Sequence, residues 1–215
     1  SRYSTDFTVV QSSSFLINGG NIVPKDEGAD IWLVNHDASG NPDYSSALSL
    51  QFFHLYWGLP SETCGTPSAP AAIQAIVVAK DKTTGEIKSY RYTYDSCLNR
   101  ISGNNFTQAD AGSFTAFGIS RVTFVNRTPE IGANSNLTKG TKDIIFIRVI
   151  PIYKDTVIGV LSCNPDGSNC TSLPSQGHII SSTGISGSAN RKITVFKGYS
   201  QTYLPFLSYG LFVAN

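Results

Sequence analysis

Charge is scarce in this 215-residue chain. Asp, Glu, Lys and Arg together supply 14% of the residues, against roughly 25% in an average domain. Sixteen Lys and Arg meet fifteen Asp and Glu, for a net charge of +1. That balance argues against a nucleic-acid domain with a strong basic face. It argues equally against disorder, which needs high net charge and few apolar residues; here 40% of residues are hydrophobic and 11% aromatic. No apolar run approaches the roughly 20 residues of a membrane-spanning helix, and no signal-peptide pattern opens the sequence. Helical periodicity is nearly missing, with one short turn expected over Thr107–Ala111. Histidine is rare, at His36, His54 and His178. Nothing resembles H-E-x-x-H, G-x-S-x-G or a P-loop. No enzymatic activity and no cofactor are therefore expected, and the histidines read as half-buried sheet or loop residues.

Strand signals are abundant. They fall at Phe7–Val10, Phe15–Ile17, Asp30–Asn35, Leu50–Trp57, Ile73–Lys80, Ile87–Tyr94, Arg121–Asn126, Ile144–Tyr153, Val157–Leu161, His178–Ser182, Ile193–Lys197 and Tyr209–Val213. Gly, Pro, Asn, Asp and Ser clusters punctuate them. Many strands and few helices imply an all-β chain, an antiparallel β-sandwich-like domain with long loops. The length suits a single domain over residues 1–215.

Four cysteines allow three pairings. Cys163 and Cys170 bracket a string of turn formers, Asn164 to Asn169. Cys64 and Cys97 flank a hairpin of strands near Ala72–Lys80 and Ile87–Tyr94, turned at Lys82-Thr83-Thr84-Gly85. Pairing Lys80 with Ile87 sets Pro70 opposite Cys97, a short loop from Cys64. The expected disulfides are Cys64–Cys97 and Cys163–Cys170, which implies an oxidising compartment. A four-cysteine zinc site needs closer paired spacings, which neither pair has. Four N-x-S/T sequons, at Asn105, Asn126, Asn136 and Asn169, are close to what composition alone produces and carry no weight.

Ile144–Tyr153 is apolar on both faces and so wants cover on both. Its Arg148 then requires a carboxylate or carbonyls. Pro151 marks an edge, a bulge or the end of a paired stretch. Along Leu50–Trp57, Phe53, Leu55 and Trp57 share one face. Tyr90, Tyr92 and Tyr94 form a row that reads as one face of a core against a second sheet. Trp57, Tyr90 and Tyr92 are also candidate stacking contacts for a sugar or a protein partner. Arg191 and Lys192 are candidate surface contacts, including for DNA. Asp37, Ser39, Asn41 and Asp43 place oxygens at every second residue, a calcium-like spacing that Asx-turn chemistry also explains. Asn164, Asp166 and Ser168 do the same. Ser61–Pro70 and Asn126–Thr141 read as exposed loops.

Several segments together are similar to the C-terminal half of pilin-like surface proteins. They are Asp143–Tyr153 (DIIFIRVIPIY) running on into Lys154–Val160, Gln176–Gly184, Ala189–Val195 (ANRKITV) and Leu204–Phe212 (LPFLSYGLF); Ala29–Val34 and Leu55–Gly58 fit the same pattern upstream. The progression I-R-V-x-P-x-Y, T-G, R-K-I-x-V, L-P-x-x-x-x-Y-x-L-F resembles minor pilins of type IV pilus systems. The resemblance runs from about Ala29 to Phe212, with the pilin-like strands over about 143–213. It implies a cell-surface, extracellular module acting in filament assembly, adhesion or DNA capture. Its partners would be other pilin-like subunits and a host or cell-surface glycan or protein. Membrane contact would run only through an N-terminal apolar helix, and Ser1-Arg2-Tyr3-Ser4 instead starts in strand-like sequence, as in an ectodomain lacking that helix. The alternatives are a secreted carbohydrate-binding adhesin and a viral capsid or spike jelly roll.

Overall fold

The computed structural model describes residues 2–199 except 10, 49, 51, 66, 118, 120, 121, 132–136, 138–140, 187 and 188. The strand expected at Tyr209–Val213, and with it the last segment of the pilin-like pattern, lies outside these residues. The elements in chain order are β1 (Arg2–Val9), β2 (Ser14–Leu16), β3 (Ala29–Trp32), β4 (Asn35–His36), β5 (Pro42–Asp43), β6 (His54–Trp57), β7 (Ala72–Asp81), β8 (Ile87–Asp95), α1 (Leu98–Asn104), β9 (Thr107–Gln108), β10 (Asp110–Thr115), β11 (Thr123–Arg127), β12 (Lys142–Ile152), β13 (Ile158–Leu161), β14 (Gly177–Ser186) and β15 (Ala189–Gly198).

Two five-stranded sheets carry the core. One has the order β3-β12-β7-β8-β9, the other β10-β11-β6-β13-β2. Their facing sides supply one cluster, with Ile31, Ile73, Val77, Ile147 and Val149 from the first sheet and Leu55, Trp57, Ile158 and Val160 from the second. The strands pair antiparallel except β8 with β9, which run parallel. The architecture is therefore the expected all-β, sandwich-like one, antiparallel apart from the short β8–β9 pair.

The first sheet is buried on its outer face as well. Trp32, Ile76, Val78 and Phe146 form a second cluster there, as the two-sided apolar pattern of β12 requires. Arg148 sits in this wall and finds the carboxylate it needs: its Nε and Nη2 donate to Asp30 at 2.6 and 2.8 Å. Gly28 lets that arginine lie flat, since a Cβ there would meet Arg148 Cδ at 2.8 Å. Pro151 pairs in register with Ile73 of β7, while its carbonyl turns to the other edge and accepts from the Asp26 N–H at 2.9 Å. Its missing N–H thus falls beyond the end of β3, where no partner strand needs it.

The hairpin of β7 and β8 pairs Lys80 with Ile87, and both expected disulfides form. Asp95, fully buried, organises the first bridge. It accepts from the Cys97 N–H at 2.9 Å and from Arg100 at 2.7 and 2.9 Å. Arg100 in turn donates to the Pro70 carbonyl. The Ser61–Pro70 loop is held beside the hairpin by one disulfide and by one hydrogen bond from the Asp95-paired Arg100.

Other expectations need correction. Thr107–Ala111 forms no helical turn; it divides between β9 and β10. The helix lies just before it, as α1, and stops at Asn105 in the left-handed conformation (φ 55°), a geometry asparagine tolerates better than most residues. Leu50–Trp57 contributes only β6, because the chain before His54 leaves the sheet. Asn126–Thr141 is not simply exposed: Ile131 and Leu137 are buried in the main core. The sequon residue Asn126 is buried too, donating its carboxamide N–H to the Trp57 carbonyl at 3.3 Å.

The third sheet, β1-β14-β15, is different. It is continuous and antiparallel, with Val9 opposite His178 and Arg2 opposite Ile185, and it carries exposed apolar side chains. Ile185, Ile193, Val195 and Phe196 are between 44% and 65% exposed.

Candidate functional site

β2 and β3 are the outer strands of their sheets, and they border a common cleft. The base of the β14–β15 hairpin forms its remaining wall. The cavity measures about 450 Å³ and is lined by Phe15, Leu16, Ile17, Trp32, Ile179 and Phe196, among others. This volume lies in the range of small-ligand and peptide sites. The charged group in the wall, Asp30, is neutralised by Arg148, so the lining presents apolar surface and neutral polar atoms.

Gln176 closes one end. Its Oε1 accepts from the Trp32 N–H at 2.8 Å and its Nε2 donates to the Trp32 carbonyl at 2.9 Å. A single carboxamide thus makes the two bonds that one residue of an added antiparallel strand would make to Trp32 at the β3 edge. Beside it stands an aromatic group. His36 stacks on Tyr199 with centroids 3.7 Å apart, and Trp32 meets His36 edge-on at 4.7 Å. His178 meets Tyr199 edge-on at 5.2 Å. Burial holds the His36 imidazole below its ordinary pKa, favouring the neutral ring. The indole Nε1 of Trp32 is buried and has no hydrogen-bond partner among the described residues.

The proposed site residues separate. Trp57 is fully buried, and its Nε1 donates to the Ala71 carbonyl at 2.7 Å. It cannot be a surface contact, because β6 lies between β11 and β13 with Trp57 on its inward face. Tyr90 and Tyr92 are half-buried and pack on the main core, with Tyr94 buried beside them. Burial pushes the Tyr94 hydroxyl pKa well up. The tyrosine row is core, as its alternation suggested, and does not form an open stacking platform. Arg191 and Lys192 are exposed on β15.

Asp37 spends its oxygens on its own turn, accepting from the Ser39 and Asn41 N–H groups and from Asn41 Nδ2. These bonds hold its carboxyl below the usual range. Asp43 does the same for Ser45, and Asp166 for Ser168. Asx-turn bonding thus accounts for the arrangement of Asp37 and Asp43 in this structure. Among the described residues, no group of three or more His, Cys, Asp and Glu converges. His54 is buried, with Nδ1 3.1 Å from the Thr128 carbonyl.

The cleft residues carried no sequence signal as a set. Trp32 and Gln176 are 144 positions apart; each lies in a segment of the pilin-like pattern, but nothing in that pattern brings the two together. Comparison with known proteins adds no assignment: no family model, no curated protein and no solved structure matches this chain. The two disulfides mark a chain that matures in an oxidising, extracytoplasmic compartment. Among the described residues, no helix is long and apolar enough to cross a membrane.

Proposed function

We propose that this chain is the β-domain of a pilin-like cell-surface subunit, non-enzymatic, acting by assembly and surface contact. One observation carries the reading. The pilin-like segments among the described residues divide between the core sheets, where Ala29–Val34 holds β3 and Leu55–Gly58 ends β6, and the third sheet. DIIFIRVIPIY is β12, the strand between β3 and β7. The T-G and R-K-I-x-V segments are β14 and β15, which pair residue for residue from Gly177↔Gly198 to Ser186↔Ala189. One part builds the core; the other presents Arg191, Lys192, Ile193 and Val195 to solvent. Exposed apolar residues on a long strand pair favour contact with another chain.

The test is the N-terminal sequence and intact mass of the protein taken from its producing cell. The reading expects an apolar segment of roughly 20 residues before Ser1, long enough to span a bilayer, with a modified first residue. An ordinary cleaved signal peptide would remove the filament subunit and leave a secreted adhesin.

A further inference from the structure

We propose that a second cavity, at the end of β12, binds the ring of a neutral pyranose sugar against Tyr153. It measures about 570 Å³ and is bordered by Ile22, Lys25, Leu59, Glu62, Tyr153 and Asp155, among others. Tyr153 follows β12 directly and takes the left-handed backbone conformation (φ 74°), which a bulky side chain seldom adopts. Such strain persists where the surrounding structure fixes it, and it gathers at ligand sites. Here the neighbouring segments are stitched together. Val23 and Thr156 exchange backbone bonds of 2.8 and 3.1 Å. The Lys25 N–H donates to Asp155 Oδ1 at 2.8 Å, and the Gly58 N–H donates to Thr156 Oγ1 at 3.1 Å. The ring itself is held at two points. Arg100 lies over it, with Cζ 4.9 Å from the centroid, and Asn104 Nδ2 donates to its hydroxyl at 3.2 Å. The side chain is nevertheless 47% exposed.

The wall selects the ligand. Ile22, Leu59 and Tyr153 offer exposed apolar surface, and the C–H face of a pyranose stacks on the electron-rich face of an aromatic ring. Lys25 and Lys154 are matched by Glu62 and Asp155, so the cavity favours no net charge. Lys154 Nζ donates to Glu62 Oε1 at 2.6 Å, and Glu62 Oε2 accepts from the Leu59 N–H at 2.9 Å, which fixes the pair in place. Lys154 keeps further N–H donors, and Asp155 Oδ2 is unbonded among the described residues. Sugar hydroxyls both donate and accept, so they use both groups, and the charges strengthen those bonds. The stacking role expected of Trp57, Tyr90 and Tyr92 thus falls to a tyrosine outside the core. The inference rests on this cavity, not on the filament reading. A sugar can bind a chain that never polymerises, and a filament subunit can lack a sugar site.

The test uses the full chain and neutral probes, the methyl pyranosides of mannose, galactose, glucose and N-acetylglucosamine. Saturation-transfer NMR reads contact at the sugar protons, and titration gives the affinity. Transfer to the ring C–H protons of one or more probes is expected. Tyr153→Asn should weaken that binding roughly tenfold, since asparagine lacks the ring yet tolerates the left-handed backbone. Tyr153→Phe keeps the ring and should bind as the parent does. Both variants should leave the strand signal in circular dichroism unchanged. No transfer to any probe would overturn the proposal. So would equal binding by Tyr153→Asn, which would place the sugar elsewhere, or binding of sialyllactose alone, which would require a cationic site. Loss of binding in Tyr153→Phe would assign the effect to the hydroxyl and contradict stacking. Self-association that Tyr153→Asn abolishes, with no sugar transfer, would make this surface a protein contact instead.

Discussion

Ile76 and Ile147 are fully buried in the sheet of β12 and β7, whereas Ile193 on β15 is 65% exposed and Val195 52%. Both regions are antiparallel pairs of long strands rich in β-branched residues. They differ in what covers them. The first sheet has the second sheet on one face and a smaller cluster on the other, and it is tied at one end by Cys64–Cys97 and the Asp95–Arg100 pair. The β1-β14-β15 sheet holds its register by its own ladder and leaves apolar groups in water. The same strand chemistry makes a core where a second layer lies over it and an exposed apolar face where, among the described residues, none does.

The largest effects should come from the covered region. Trp57→Ala, at the centre of the sandwich, is expected to cost about 3–5 kcal/mol. Asp95→Ala should cost about as much, since it leaves the Arg100 guanidinium without its carboxylate. Urea unfolding followed by fluorescence and circular dichroism checks both. A loss below 1 kcal/mol at either position, on the order of a surface substitution, would contradict the assignment of that residue to the frame.

Replacing disulfides by alanine pairs ranks next. The chain-entropy relation gives ~4 kcal/mol for Cys64–Cys97, with a separation of 33, and ~2 kcal/mol for Cys163–Cys170, with a separation of 7. The predicted order is what the unfolding midpoints test.

Acid should act through the buried imidazole of His54. Burial lowers its pKa below the ordinary 6.5, so the folded state binds its proton less readily than the unfolded chain does. Its contribution is complete above pH 6.5 and declines as pH falls from there towards the lowered folded value. Stability should therefore drop between pH 7 and pH 5, and His54→Asn should flatten part of that slope. An unchanged slope in the variant would remove His54 from the account.

The smallest stability effects belong to the open sheet. Ile193→Ser and Val195→Ser should shift stability by less than about 0.5 kcal/mol, as surface changes do. Their effect should appear in binding of a hydrophobic dye and in self-association, both of which should fall. A loss of several kcal/mol would mean that this sheet is covered in the folded protein.

The same contrast explains which features the sequence showed. The β7–β8 hairpin was legible because its turn residues and alternation are local, and its register then led to Cys64–Cys97. Arg148 announced a partner because a charged group in a two-sided apolar strand needs one. The partner's identity, Asp30, was set by packing 118 positions away. The pairing of β9 with β8 was invisible for a like reason: Thr107-Gln108 is too short to show a period, and its parallel register depends on α1 turning the chain back. Trp57 was misplaced because an aromatic residue on a strand reads alike on an inward or an outward face. The cleft was missed since Gln176 and Trp32 meet only after both sheets and the hairpin have formed.

The most direct test of the contact-surface claim compares two isoleucines of similar exposure, Ile193 on β15 at 65% and Ile87 on β8 at 58%. Benzoylphenylalanine is placed at each position in the native protein on its producing cell, and adducts are counted after irradiation. The account predicts adducts to another surface subunit from position 193 and few from position 87. Equal yields from the two positions would contradict it.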